Sequence, residues 1–347
     1  MTTLRRGLVV TVLLAAAALG GWTAWSAASS GSAASAAGGG DGWLIRAPMP
    51  TPRTEVGVAA VGETIYVIGG FGSDGAVGTV EAYDAAHDRW RPVAPLPIPL
   101  HHVGVATVNG RLYVVGGFRQ GWTATDMVWR YDPAADRWQT VAPLPTPRGA
   151  LGVATLDSLI YAVGGRAEQD TTALEVYDPA VNRWTAQAPM PTARNHLAAV
   201  AARGKLYAIG GRLGGFLNNI TNNEEYTPAM NQWQSRAALP TARSGIAGAA
   251  WRDRIFILGG EANTGTFHEH EEYNPAGDSW QARDPLPTAR HGLGAVVVGH
   301  TLYVLGGGLR PGGTGSRVNE AFELGAPSAA PAQARSEERR VGKECRL

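Results

Sequence analysis

The chain has 347 residues, of which only 17% are charged, with 46 Gly, 22 Pro and a formal net charge of +1 at pH 7. That balance, with no basic block in the central region, excludes nucleic acid as a partner held by phosphate attraction. A single cysteine excludes an intrachain disulfide framework, and the glycine and proline content suits many short strands joined by turns.

The N-terminus reads as an export signal. Arg5-Arg6 precede an uncharged apolar segment from Leu8 to Leu19, which continues weakly through Trp22 and Trp25. The shorter segment suits a signal-peptide core, whereas the span from Gly7 to Trp25 suits a retained membrane anchor. Residues 1–25 are expected to be one or the other, with the remainder periplasmic, extracellular or attached to the outer side of the cytoplasmic membrane. The arginine pair also allows a twin-arginine route. Residues 26–40 are almost wholly Ala, Ser and Gly, a flexible tether that cannot build a core.

From residue 41 to 326 one pattern dominates. A Gly-Gly doublet recurs at Gly69-Gly70, Gly116-Gly117, Gly164-Gly165, Gly210-Gly211, Gly259-Gly260 and Gly306-Gly307, at spacings of 47, 48, 46, 49 and 47 residues. A near-fixed period of that length marks a radial or solenoid array. Each doublet closes a short run such as Ile65-Tyr66-Val67-Ile68, too short for an independent helix and rich in β-branched and aromatic residues, hence a buried strand. Upstream, across turns such as Asn109-Gly110, lies a strand of small apolar residues, for example Val103-Gly104-Val105-Ala106.

Downstream, a polar stretch of 11 to 14 residues leads to a third strand ending in Tyr83, Tyr131, Tyr177, Tyr226, Tyr273 or Phe322. In the first five units a tryptophan follows seven residues later, at Trp90, Trp138, Trp184, Trp233 and Trp280, across turns rich in Asp, Asn and Pro. The sixth unit lacks that tryptophan, and Trp43 is the unpaired copy. The amino-terminal strand is therefore expected to complete the last sheet, closing a ring that leaves no long open edge and suits a monomer.

Residues 327–347 lack the pattern and are expected to be a disordered tail. Its part from 335 to 347 resembles the translation of a sequencing adapter, and it holds the lone Cys345. With those residues and the leader arginines set aside, 23 basic face 26 acidic residues.

The succession of a small-apolar strand, an apolar strand with Gly-Gly, a Tyr-Asp-Pro strand and a Trp strand resembles the kelch repeat from Trp43 to about Leu324. The resemblance implies an all-β, six-bladed propeller of four antiparallel strands per blade. The repeat glycines and aromatics read as structural.

Antiparallel order places the loops after Gly-Gly and the starts of the innermost strands at one mouth of the channel. An arginine recurs there at Arg53, Arg148, Arg194, Arg243 and Arg290, while the second unit has Leu100 followed by His101-His102. In kelch recognition modules matching arginines often line a pocket for an acidic peptide or another anion, and forked guanidinium donors suit carboxylates. The same recurrence also fits arginines that tie adjacent blades through backbone carbonyls. Four residues after this position every unit has Gly or Ala, which relieves crowding near the axis.

The loops after Gly-Gly differ from unit to unit and offer further ligand candidates. They are Phe118 and Trp122; Arg166, Glu168 and Asp170; Arg212, Phe216, Asn218 and Asn219; and Glu261 and Phe267. Asn219-Ile220-Thr221 fits a glycosylation acceptor. His268-Glu269-His270 offers two imidazoles on one strand face but no further ligand by spacing, so no metal or cofactor is expected.

The leading expectation is a noncatalytic, exported binding module that captures an acidic peptide, acidic protein or anionic glycan. The alternative is an enzyme resembling the exported kelch propellers that epimerise N-acetylneuraminate, with Glu261, Glu168 or His102 moving the proton. Copper radical oxidases with kelch-like propellers fit poorly, because the resemblance implies a tyrosine cross-linked to cysteine, whereas the sole cysteine here, Cys345, lies in the adapter-like tail. Intracellular kelch adaptors fit poorly too, because the short leader reads as an export signal.

Overall fold

A computed structural model describes residues 42–325 apart from 216, 313 and 314. The expected signal or anchor, the tether, the tail and Phe216 lie outside the described residues. Six four-stranded antiparallel sheets form the blades of a propeller. Blade 1 runs outward through Gly57–Val61, Thr64–Ile68, Val80–Asp84 and Arg89–Pro92. Blades 2 to 5 repeat this order from Gly104–Val108, Gly152–Leu156, Ala198–Ala202 and Ala247–Trp251. Blade 6 joins Gly294–Val298, Thr301–Leu305 and Asn319–Glu323 to the amino-terminal strand Trp43–Ile45, in a register that sets Trp43 opposite Phe322. The ring closes as the repeat arithmetic requires.

Each innermost strand contacts its counterparts in both neighbouring blades. The space there is narrow: a Cβ on Gly57 would lie 2.2 Å from Val105 Cγ2, and one on Gly104 would lie 2.1 Å from Val153 Cγ2. Small residues at this position are thus a packing requirement. The second strands are buried along both faces, and the outermost strands are mostly exposed. The Gly-Gly doublet has a backbone task. Gly69 and Gly70 sit at φ +60° and +99°, Gly70 N–H donates to Leu100 O of the next blade at 2.8 Å, and a Cβ on Gly69 would lie 2.5 Å from that same oxygen.

The repeat aromatics do more than fill volume. Tyr83 is fully buried, packs on Trp90 at 4.9 Å between centroids and donates its hydroxyl to Asp88 Oδ1 at 2.6 Å. That same Oδ1 accepts from Ala47 N–H of the preceding blade, while Trp90 Nε1 donates to Ala47 O. Equivalent pairs hold Ala94, Ala142, Ala188 and Ala237 from both sides. At the closure, Trp43 Nε1 donates to Asp284 O at 3.0 Å. Every blade boundary therefore carries a hydrogen-bonded tie as well as apolar contact.

The loops after Gly-Gly form short two-stranded ribbons in blades 1, 2 and 5, at Phe71–Gly72 with Gly75–Ala76, Phe118–Arg119 with Thr123–Ala124, and Glu261–Ala262 with Gly265–Thr266. Helix among the described residues is confined to a 3-10 turn at Pro228–Met230, and no helix there is long and apolar enough to cross a membrane.

Candidate functional site

The five recurrent arginines, expected above the channel mouth, lie inside the blades with no exposed surface. Arg148 shows the arrangement: Nε donates to Gly164 O at 2.8 Å, Nη2 to Ala162 O at 3.0 Å, and Nη1 to Thr146 O and Glu175 Oε2. Thr146 Oγ1 donates to the other oxygen of Glu175 at 2.7 Å. The same ion pair joins Arg53 to Glu81 at 2.7 Å, Arg194 to Glu224 at 2.6 Å, Arg290 to Glu320 at 2.5 Å, and Arg243 to Glu271. Each side chain ties the second and third strands of its own blade. The arginine carbonyl crosses to the preceding blade, as where Gly165 N–H donates to Arg194 O at 2.9 Å. Burial and the ion pair with a glutamate of the same blade withdraw these guanidiniums from the mouth.

Blade 2 lacks all three partners. Ile98, Leu100 and Trp129 stand where the other blades carry Thr, Arg and Glu, and they share one apolar cluster. An ion-paired triad and an apolar triad thus occupy equivalent positions. The signal was present in the sequence: a glutamate stands two residues before each repeat aromatic except Tyr131, in the one unit without the arginine.

The mouth is built from the next residues along. Glu55, His102, Ala150, His196, Gly245 and Gly292 all adopt φ between 52° and 63°. Backbone bonds run from His102 N–H to Glu55 O, Ala150 to His102, His196 to Ala150, Gly245 to His196 and Gly292 to Gly245, and Val56 N–H closes the circle on Gly292 O at 3.3 Å. The left-handed conformation at four non-glycine residues is costly, of order 1–3 kcal/mol each, and it turns their side chains toward the axis.

Above this ring, side chains from blades 1, 2, 4, 5 and 6 converge. His102 Nε2 lies 3.1 Å from Glu55 Oε2, and His291 Nδ1 lies 3.1 Å from Glu55 Oε1 and 3.2 Å from Glu261 Oε2. Arg212 donates to Glu261 Oε1 at 2.8 Å and to His196 Nε2 at 2.9 Å. His101 is stacked on Phe71 at 3.9 Å between centroids and lies 2.5 Å, Nδ1 to Nδ1, from His102. The cluster encloses a cavity of about 60 Å³ reaching Phe71, Trp122 and Gly312. A second cavity of about 90 Å³ lies on the ring itself, lined by residues of all six blades.

Burial would raise the Glu55 carboxyl, but His102 and His291 overcome it and hold the group well below the usual carboxylate range. Burial pulls His101 down to about 3 and His102 down to about 4, the latter against the pull of Glu55. His196 is driven well below its ordinary value by burial, with Arg212 and His102 adding to the effect. His291 goes the other way: burial lowers it, and the carboxylates of Glu55 and Glu261 more than reverse that. Two overlapping donor sets, Glu55 with His102 and His196, and Glu55 with Glu261 and His291, bring their ligand atoms within 4.8 Å of one another.

Of the candidates read from sequence, His101, His102, Arg212, Glu261 and Trp122 come together here, though Arg212 and Glu261 are buried and paired. Arg166 stands apart, bonding Gly214 O and Glu168 O and so joining the loops of blades 3 and 4. Trp122 is 53% exposed on the rim, while Phe118 is buried beneath it at 5.3 Å. Asp170 accepts from Asn195 and Gly214, Asn218 is an exposed loop residue, and Asn219 donates to Glu261 O. Phe267 is half-buried and Glu168 exposed. His268 and His270 donate to the carbonyls of Leu286 and Asp284 and do not converge on one point. Glu55, His196 and His291 were missed because the two positions they occupy change residue type from unit to unit, so no recurrence marks them.

The profile of the KLHDC2/KLHL20/DRC7 Kelch-repeats domain matches residues 43–211 and 150–325. The chain belongs to the kelch-repeat family. It is 44% identical over 46 residues to human Kelch-like protein 4, a match that covers 13% of this chain and 6% of that protein. The solved structure of YjhT superposes with a TM-score of 0.70 at 17% identity, covering 80% of this chain and 96% of that one, a likeness of fold. Kelch propellers are mostly non-enzymatic protein-interaction modules, and this chain has their scaffold.

Proposed function

We propose that this chain is an exported kelch interaction module that captures an acidic peptide segment of a partner protein on the loop rim of its channel mouth. The carrying observation is an exposed apolar rim that also presents arginines outside any ion pair. Trp122, Leu213, Leu217 and Leu309 are exposed on loops of blades 2, 4 and 6, and Arg119 and Arg310 have no ion pair among the described residues. The loops are tied in advance: Gln120 bonds Ala76, Arg166 bonds Gly214, Asn219 bonds Glu261, and Thr266 bonds Leu309. A preorganised rim loses little freedom on binding. An anionic glycan is the other ligand these cations fit.

The experiment compares fluorescein-labelled random dodecapeptide pools that contain or lack Asp and Glu. The acidic pool should bind, and Trp122→Ala with Arg310→Glu should weaken capture at least tenfold. Equal binding of both pools would overturn the reading, and selective uptake of sulfated or sialylated oligosaccharides would shift it to glycans.

A second reading, proton transfer on an acidic sugar, draws on Glu261 and His102 lining one cavity. At about 60 Å³ that cavity is small beside the several hundred Å³ of ordinary ligand clefts, which favours capture on the rim. Faster anomer exchange of N-acetylneuraminate by NMR saturation would restore catalysis.

A further inference from the structure

We infer that Glu55, Glu261 and His291 form a divalent transition-metal site at the axial end of the channel mouth, suited to Zn2+ or another borderline ion. The distances fit: His291 Nδ1 lies 3.1 Å from Glu55 Oε1 and 3.2 Å from Glu261 Oε2. Ligands on a tetrahedral ion with bonds of about 2.0–2.1 Å are separated by roughly 3.3 Å. Imidazole with carboxylates is the donor set for such ions, whereas a thiolate would be needed for a softer one.

The surroundings orient the ligands. His291 Nε2–H donates to Arg310 O at 3.0 Å, which leaves Nδ1 as the atom facing the two carboxylates. Arg212 holds Glu261 Oε1 at 2.8 Å and Gly312 N–H reaches Oε2 at 3.0 Å. Fixing the second ring nitrogen on a carbonyl and hydrogen-bonding the carboxylates is how metal sites set ligand direction. The same geometry separates the two donor sets. His196 Nε2 already accepts from Arg212 at 2.9 Å, so the set containing His196 has a ligand atom engaged. The ion's remaining position opens on the cavity of about 60 Å³, which has room for water or one anionic oxygen.

A protein-only arrangement competes with this one, in which a proton on His291 Nδ1 bridges both carboxylates. The test uses the full chain carrying Cys345→Ser, which removes the tail thiol, dialysed against ZnCl2 and analysed for bound metal. About one zinc per folded chain is expected, and Glu261→Gln should weaken binding at least tenfold while His268→Ala leaves it unchanged. Because Glu261→Gln also removes the partner of Arg212, zinc-edge anomalous diffraction from the unaltered site provides a second readout, with the ion expected between Glu55, Glu261 and His291. Substoichiometric uptake by folded chain, uptake indifferent to Glu261→Gln, or an ion elsewhere would overturn the site and assign the place to the proton.

Discussion

At the scale of single residues, blade 2 shows what the arginines do. Ile98, Leu100 and Trp129 replace a complete Thr-Arg-Glu set, and the blade keeps its four strands. A buried ion pair is often exchangeable for apolar groups of similar volume, while removing one partner strands a charge. Arg194→Ala should therefore cost about 3–5 kcal/mol in urea denaturation, because Glu224 loses its counter-ion. The triple change Thr192→Ile, Arg194→Leu and Glu224→Trp should cost less than Arg194→Ala alone. A triple variant worse than the single one would refute the equivalence. The arginine positions were legible in sequence, but their direction was not, since a recurrent residue at a strand start fits a rim or an interior equally well. Burial in the structure decided between them, and the joint absence of Arg and Glu from one unit is the sequence feature that agrees with it.

At the scale of elements, the strand Trp43–Ile45 carries the closure, and its order was readable because Trp43 and Phe322 were each missing a partner. Trp43 is buried against Phe322 and His270 and bonds Asp284 O, so Trp43→Ala should cost about 3–5 kcal/mol. Loss of less than about 1 kcal/mol would mean that the ring is held without this strand.

The same seam should titrate. His270 donates from Nδ1 to Asp284 O, its Nε2 is buried without a partner among the described residues, and burial pulls its pKa down to about 4 from 6.5, with Arg283 and Arg243 acting in the same sense. Between those values the unfolded chain binds the extra proton and the folded chain does not, so stability falls as pH drops from 6.5 to about 4. His270→Gln should flatten that part of the stability profile relative to the wild type. Parallel profiles would show that His270 is not held neutral. The ribbons after Gly-Gly were not legible, because their two-residue strands carry no periodicity.

For the molecule as a whole, a ring of equivalent backbone bonds at the axis supports six different loops, and chemistry is confined to where the units diverge. The spacing of the repeat marked an array, and the resemblance of each unit to the kelch repeat implied the six-bladed ring. The same regularity hid the axial cluster, since the position of Glu55 and His196 holds His, Ala or Gly in the other units and that of His291 holds Thr, His, Gly, Asn or Ser. Convergence across five blades is a property of closure, which pairwise spacing does not encode.

The five arginines hold the blades together, and the proposed capture falls to the rim. The melting temperature of the Arg194→Glu, Arg243→Glu double variant tests that division most directly. Two reversed charges facing Glu224 and Glu271 should lower it by more than about 15 °C, or prevent folding outright. A melting temperature within a degree or two of wild type, with capture of acidic peptides lost, would contradict the account and return these arginines to the ligand face.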